Sequence, residues 1–190
     1  MTKEPKQMWG DGTPWKTKAA FYSYLRGGLR RVWMKHPYKI SKITSTRFQV
    51  DRYDKNGKIL LDKKGNPRKI WNCKCEVCGH QGVMSDFHVD HIIPAGSLTG
   101  YEDLLDFTFR LLYVTDKDLR VICKDCNYIL AYADKNGVSF EEAKAEKTAI
   151  GLVGSNKDKE WLKGNGITPE SSKQKRRKQI VDFLLDVVSN

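Results

Sequence analysis

No run of apolar residues in this 190-residue chain approaches the roughly 18 that a membrane-spanning helix needs. The leading segment MTKEPKQ is too polar to open a secretory signal, so the expectation is an intracellular, cytoplasmic protein with no membrane partner. No internal repeat is evident. Acids are in deficit, 23 Asp and Glu against 34 Lys and Arg, which leaves a formal net charge of +11. An excess of that size points to a polyanionic partner, nucleic acid first. Hydrophobic residues at 39% and charged residues at 30% set a fully disordered chain aside. The length suits one domain with appendages or two small ones.

The positive charge is not spread evenly. Residues 1–70 hold 18 basic and 5 acidic residues, a net of +13, whereas residues 71–190 hold 16 and 18, a net of −2. The simplest division is a basic DNA-binding region at 1–70, a near-neutral functional module at 71–136 and a helical C-terminal extension at 137–190.

Local patterns fill in these segments. AAFYSYLRGGLRRVW, between Trp15 and Trp33, reads as an amphipathic helix weakened or broken at Gly27–Gly28 and ended before Pro37. Residues 43–72 alternate as strands, with hairpin signals at Asn56–Gly57 and Gly65–Asn66–Pro67. Ser139 is placed to cap a helix. Residues 151–167 read as a linker around a short helix at Lys157–Lys163. Thr168–Pro169–Glu170 opens a final helix reaching Val188. The expected fold class is α+β.

Cys75-Glu-Val-Cys78 and Cys123-Lys-Asp-Cys126 are two CxxC pairs separated by 44 residues. Two intervening residues let both thiolates of a pair reach one ion from a tight turn, and two such turns complete a tetrahedral Zn²⁺ site. Two disulfides are the alternative, disfavoured inside a cell. Redox CxxC motifs occur singly and beside a βαβ pattern, which is absent here. The expected ligands are therefore Cys75, Cys78, Cys123 and Cys126, with Gly79 and Asn127 at the ends of the turns and Cys73 as a free thiol.

Between the pairs lies Phe87-His88-Val89-Asp90-His91-Ile92-Ile93-Pro94. Further on, Asp118-Leu119-Arg120-Val121-Ile122-Cys123 reads as a second strand running into a helix from Asn127. Adjacent residues of a strand face opposite ways, so Asp90 and His91 share a site only if the strand bends or ends there. CxxC, VDHIIP and DLRVICxxCN together resemble the HNH nucleases, whose ββα-metal core is often stapled by zinc in this layout, and phage-encoded members look most similar. The resemblance covers roughly residues 71–136. It implies DNA phosphodiester hydrolysis with His91 as general base. Asp90 and Asn127 become ligands of a catalytic Mg²⁺ or Mn²⁺, and the products carry 5′-phosphate and 3′-hydroxyl ends. Where the family has a central Asn that ties down the loop and orients the base, this chain has Asp118, and the Lys often found after the last motif residue is replaced at Leu130 and Ala131.

The chemistry stands apart from the resemblance. A neutral imidazole takes a proton from water near pH 7, and a hard divalent ion on carboxylate and amide oxygens stabilises the charge of the transferring phosphate. His88 and His80 read as structural or surface residues, and His36 lies outside the module. Double-stranded DNA is expected to be held by Arg26, Arg30, Arg31 and Lys35 on the first helix and by Lys63, Lys64, Arg68 and Lys69 in the second hairpin. The run Lys173-Gln-Lys-Arg-Arg-Lys178 leads into an apolar stripe at Ile180, Val181, Leu184, Leu185 and Val188, which can dock on its own core, a protein partner or a second copy. Two other function classes remain: a non-catalytic zinc-ribbon DNA-binding module, and an accessory subunit of a phage DNA-packaging or recombination machine.

Overall fold

The structure, a computed structural model, describes residues 6–189; the side chain of Val188 lies outside the described residues. The chain is α+β and divides into two compact units, Met1–Cys123 and Lys124–Asn190. The division falls inside the second CxxC, within the segment that the sequence treats as one module.

In the first unit, α1 (Lys18–Met34) is capped by Thr17, whose hydroxyl accepts from the amide of Ala20. It runs unbroken through Gly27 and Gly28, which corrects the expected break. The helix is anchored on both sides of the glycines by buried Tyr22 and Trp33, and tertiary packing of this kind outweighs the roughly 1 kcal/mol that each glycine costs. Helix α2 (Pro37–Thr46) follows. Its presence corrects the strand expected from residue 43. Proline at the first helical position presets the backbone, and the β-branched Ile43, Thr44 and Thr46 are carried into the helix, with the Thr46 hydroxyl bonding back to the carbonyl of Lys42.

Strands β1 (Phe48–Asp51), β2 (Lys69–Lys74) and β3 (Gln81–Val83) form an antiparallel sheet in that order, with Phe48 opposite Asn72 and Cys73 opposite Gly82. Between β1 and β2 the chain makes two like turns eight residues apart, a short repeat not evident from the sequence. Asp54 accepts from the amides of Asn56 and Lys58, and Asp62 accepts from those of Lys64 and Asn66. Gly57 and Gly65 take the left-handed conformation the turns require, at φ 78° and 84°. The turns are joined in a ring, since Arg52 donates to Arg68, Arg68 to Leu60 and Leu60 to Arg52, each at 2.8 Å.

Strands β4 (Phe87–His91) and β5 (Leu119–Cys123) pair antiparallel, placing Asp90 opposite Arg120 and His91 opposite Leu119. The long loop between them contains α3 (Leu104–Leu112), which buries Phe107 and Leu111.

The second unit is helical: α4 (Lys124–Asn136), α5 (Phe140–Gly154), α6 (Asp158–Gly164) and α7 (Lys173–Ser189). Ser139 caps α5 through a reciprocal box with Glu142. The linker expected at 151–167 is shorter, because α5 continues to Gly154 and α6 spans the short helical stretch. The last helix begins at Lys173, not Thr168; the hydroxyl of Ser172 accepts from the amide of Lys175. Ile180 is fully buried with Ala149 and Leu162, and Val181 and Leu184 pack against them, so this part of the apolar stripe is used within its own unit. Part of the basic run is also consumed: Arg176 pairs with buried Asp158, and Arg177 with Glu146.

The Arg176 guanidinium holds the Asp158 carboxyl below its ordinary value. A depressed folded value means that stability from this group is complete above the unfolded carboxylate range, near pH 4, and is lost as the pH falls through the folded value. Replacing Asp158 with Ala leaves Arg176 buried and unpaired, and is expected to cost about 3–5 kcal/mol in denaturant unfolding near neutral pH. A loss under about 1 kcal/mol would show that Arg176 finds compensation elsewhere.

Candidate metal and hydrolytic sites

The sulfurs of Cys75, Cys78, Cys123 and Cys126 lie within 4.8 Å of one another. Cys78 Sγ stands 3.8 Å from Cys123 Sγ, close to the edge of a tetrahedron with arms of about 2.3 Å, the Zn–S length. The backbone builds the first turn: the Cys75 amide donates to the His80 carbonyl at 2.8 Å and the Gly79 amide to the Cys75 carbonyl at 2.9 Å, with Gly79 at φ 74°. The turn is pinned to β5, because the Glu76 amide donates to the Val121 carbonyl while its carboxylate accepts from the Val121 amide at 2.7 Å. Burial alone would raise the Cys75 thiol, but the amides of Cys78, Cys123 and Val77 outweigh it and bring the value down to about 7, favouring the thiolate that binds metal. The donor set fits Zn²⁺. Cys73 stands outside the cluster, fully buried, and burial raises its thiol.

β4 remains regular to its end, with Phe87, Val89 and His91 buried on one face and His88 and Asp90 on the other. Asp90 and His91 therefore point to opposite faces. Asp90 is held by Arg120, whose Nε and Nη2 donate to the same carboxylate oxygen, Oδ2, at 3.0 and 2.9 Å. His91 is 8% exposed. Its Nε2–H donates to the carbonyl of Leu111 at 3.1 Å, which leaves the ring's lone pair on Nδ1. Burial lowers its pKa, which favours the neutral ring.

Two neighbours of His91 come from the basic N-terminal part. The Trp33 ring centre lies 4.2 Å from that of His91, and His36 Nε2 donates to the next carbonyl of α3, that of Leu112, at 3.0 Å. His36, set outside the module from the sequence alone, thus shares the end of α3 with His91. No spacing rule could have shown this, because the pairing spans 76 residues. Lys39, its pKa lowered by burial, lies over the Trp33 ring.

Asp118 closes the loop before β5. Its carboxylate accepts from the amide and hydroxyl of Thr115, both at 2.8 Å, and these bonds lower its pKa. Its own carbonyl accepts from the Ile92 amide at 2.9 Å. Together the Thr115 bonds form a local capping box on the short turn Asp116–Asp118. Asn127 sits in the first turn of α4, directly after Cys126. On α1, Arg30 and Arg31 are exposed and Arg26 is half-buried; Lys35 just after the helix, and Lys63, Lys64, Arg68 and Lys69, are exposed, with Lys69 paired to Asp51. No helix among the described residues is long and apolar enough to cross a membrane.

The chain matches no protein-family model, no curated protein and no solved structure.

Replacing Cys75 or Cys126 with Ser is expected to remove bound metal and lower the melting temperature together, because binding energy at a structural metal site is folding energy. Elemental analysis checks this directly. Wild-type protein purified without chelator and free of zinc would contradict it.

Proposed function

We propose that this chain is a metal-dependent DNA endonuclease of the HNH type, with a zinc-stapled ββα core. The observation that carries the proposal is the arrangement around His91. A buried imidazole ends the first strand of an antiparallel pair, its Nε2 is fixed by a backbone carbonyl, and the second strand runs through a CxxC into a helix. A general base needs this combination of a defined tautomer and a held ring. Trp33 packing against His91 restricts the ring further, and the Thr115–Asp118 bonds hold the loop that returns to β5.

In this account His91 Nδ1 takes the proton of the attacking water. The ligands of the catalytic Mg²⁺ or Mn²⁺ would be Asp90, through its oxygen not bonded to Arg120, and the side-chain oxygen of Asn127. When bound, the ion supplies charge stabilisation at the scissile phosphate and the leaving 3′-oxygen. Arg120 fixes the Asp90 carboxylate in one orientation. Two observations favour a second reading, a zinc-ribbon module that binds DNA without cutting it. An Asp committed to Arg is a weaker cation ligand. Asp90 and His91 also leave the regular strand on opposite faces, so ion and base meet at one phosphate only if β4 bends at its end.

Backbone affinity is assigned to the basic residues ahead of β2. Arg26, Arg30 and Arg31 share α1 and Lys35 follows directly after it, while Asp54 and Asp62 spend their carboxylates on backbone amides, leaving the turns between β1 and β2 to present Lys63, Lys64 and Arg68 outward. Such contacts bind duplex DNA without regard to sequence.

Changing His91 to Ala should reduce DNA cleavage at least a hundredfold, the low end of what a positioned base contributes, while DNA affinity stays within about twofold. A mutant that cuts at the wild-type rate would remove His91 from the chemistry. Neutralising Arg26, Arg30 and Arg31 together should flatten the dependence of log affinity on log salt by about one unit for each phosphate these arginines neutralise. Binding titrations over a salt series measure it, and an unchanged slope would place the DNA elsewhere.

A further inference from the structure

A cavity of about 330 Å³ opens beside His91, lined by Ile92, Ile93, Phe109, Arg110, Tyr113 and Lys117 among others. It is at the small end of ligand sites, which run from about 300 to 1,000 Å³. Its walls are large apolar side chains left in solvent: Ile93 is 72% exposed, Tyr113 73% and Phe109 46%. The Phe109 and Tyr113 rings form a tilted pair with centres 4.5 Å apart. A soluble surface rarely gathers such groups without a partner.

The cations in the lining select among partners. Arg110, which also faces Asp106 one helical turn back at 3.9 Å, and Lys117 stand with the aromatic rings, and the acid in the lining, Asp118, gives one carboxylate oxygen, Oδ2, to Thr115. The ligand that complements an aromatic, apolar pocket lined by two cations and one acid is a flat ring carrying an anion. A nucleotide is such a ligand: its base has π faces for Phe109 and Tyr113, and its phosphate suits Arg110 and Lys117. A base inside a paired, stacked duplex cannot enter a pocket.

We propose that this cavity receives one nucleotide lifted out of the base stack next to the phosphodiester presented to His91. The assignment rests on the endonuclease reading for its substrate class, DNA, and sharpens it: the preferred substrate has an unpaired base at the cutting position. Unstacking costs least where a base is mismatched, gapped or single-stranded, so such DNA binds more tightly than a perfect duplex of the same length.

The test uses the full chain and two fluorescent DNA duplexes, one perfectly paired and one with a base opposite an abasic position, titrated without divalent ion so that nothing is cut. Wild-type protein should bind the second about tenfold more tightly, within the range of one base–aromatic stack. Tyr113→Ala and Phe109→Ala should each bring that ratio close to one. Both side chains are substantially exposed, so neither truncation removes a core group, and circular dichroism confirms the fold of each variant. Equal wild-type affinity for the two duplexes would overturn the assignment, as would a preference that survives both variants. A wild-type dimer in sedimentation that Tyr113→Ala dissolves, with the DNA ratio untouched, would give the cavity to a second copy and overturn it as well. Cleavage is scored separately with Mg²⁺. A chain that discriminates but never cuts keeps the pocket and loses the nuclease; one that cuts without discriminating does the reverse.

Discussion

Four cysteine sulfurs within 4.8 Å of one another set the condition on which the arrangement around His91 depends. An ion bound there joins the turn after β2 to the end of β5 and closes the 44 residues between the two CxxC pairs into a loop. β4, α3 and the Thr115–Asp118 turn all lie inside it. The two-stranded β4–β5 pair is too small to be stable alone, so its order is supplied from outside. Glu76 contributes one fastening through its two bonds to Val121, and a metal held by the four cysteines would contribute another. This is the strategy of a small module that cannot bury enough apolar surface for itself.

The environment of His91 joins parts of the chain with different tasks. α3 offers two successive carbonyls, one to His91 and one to His36, and Trp33 packs against both rings. The basic N-terminal part therefore does more than carry charge. Trp33 packs on the candidate base and His36 bonds the adjacent carbonyl of α3, so the basic side chains of α1 and the ring of His91 share one helix as a common support.

Legibility in the sequence followed the range of the interactions. The four-cysteine cluster was readable because its geometry is local twice over: two residues between thiols, twice. The order strand, loop, strand, helix was readable from alternation and from the motif residues. The Ser139 cap was readable because a capping box lies within four residues. What depended on distant packing was not. Gly27–Gly28 signalled a break that Tyr22 and Trp33 override, and the β-branched residues of α2 signalled a strand that Pro37 and tertiary packing convert to a helix. The partners of Asp90 and His91, Arg120 and the Leu111 carbonyl, were hidden because strand register and the docking of α3 set them, and neither leaves a spacing in the chain.

The central claim is that the zinc-stapled strand pair hydrolyses DNA with a divalent ion. The most direct measurement is incubation of supercoiled plasmid with the full wild-type chain in Mg²⁺ or Mn²⁺, at protein concentrations where all the plasmid is bound, followed by ligation of the products. Conversion to nicked or linear DNA that ligase reseals without further treatment, and no conversion in EDTA, is the predicted result, since it requires 5′-phosphate and 3′-hydroxyl ends. Plasmid that stays supercoiled in both ions while fully bound would contradict the claim and leave a DNA-binding module.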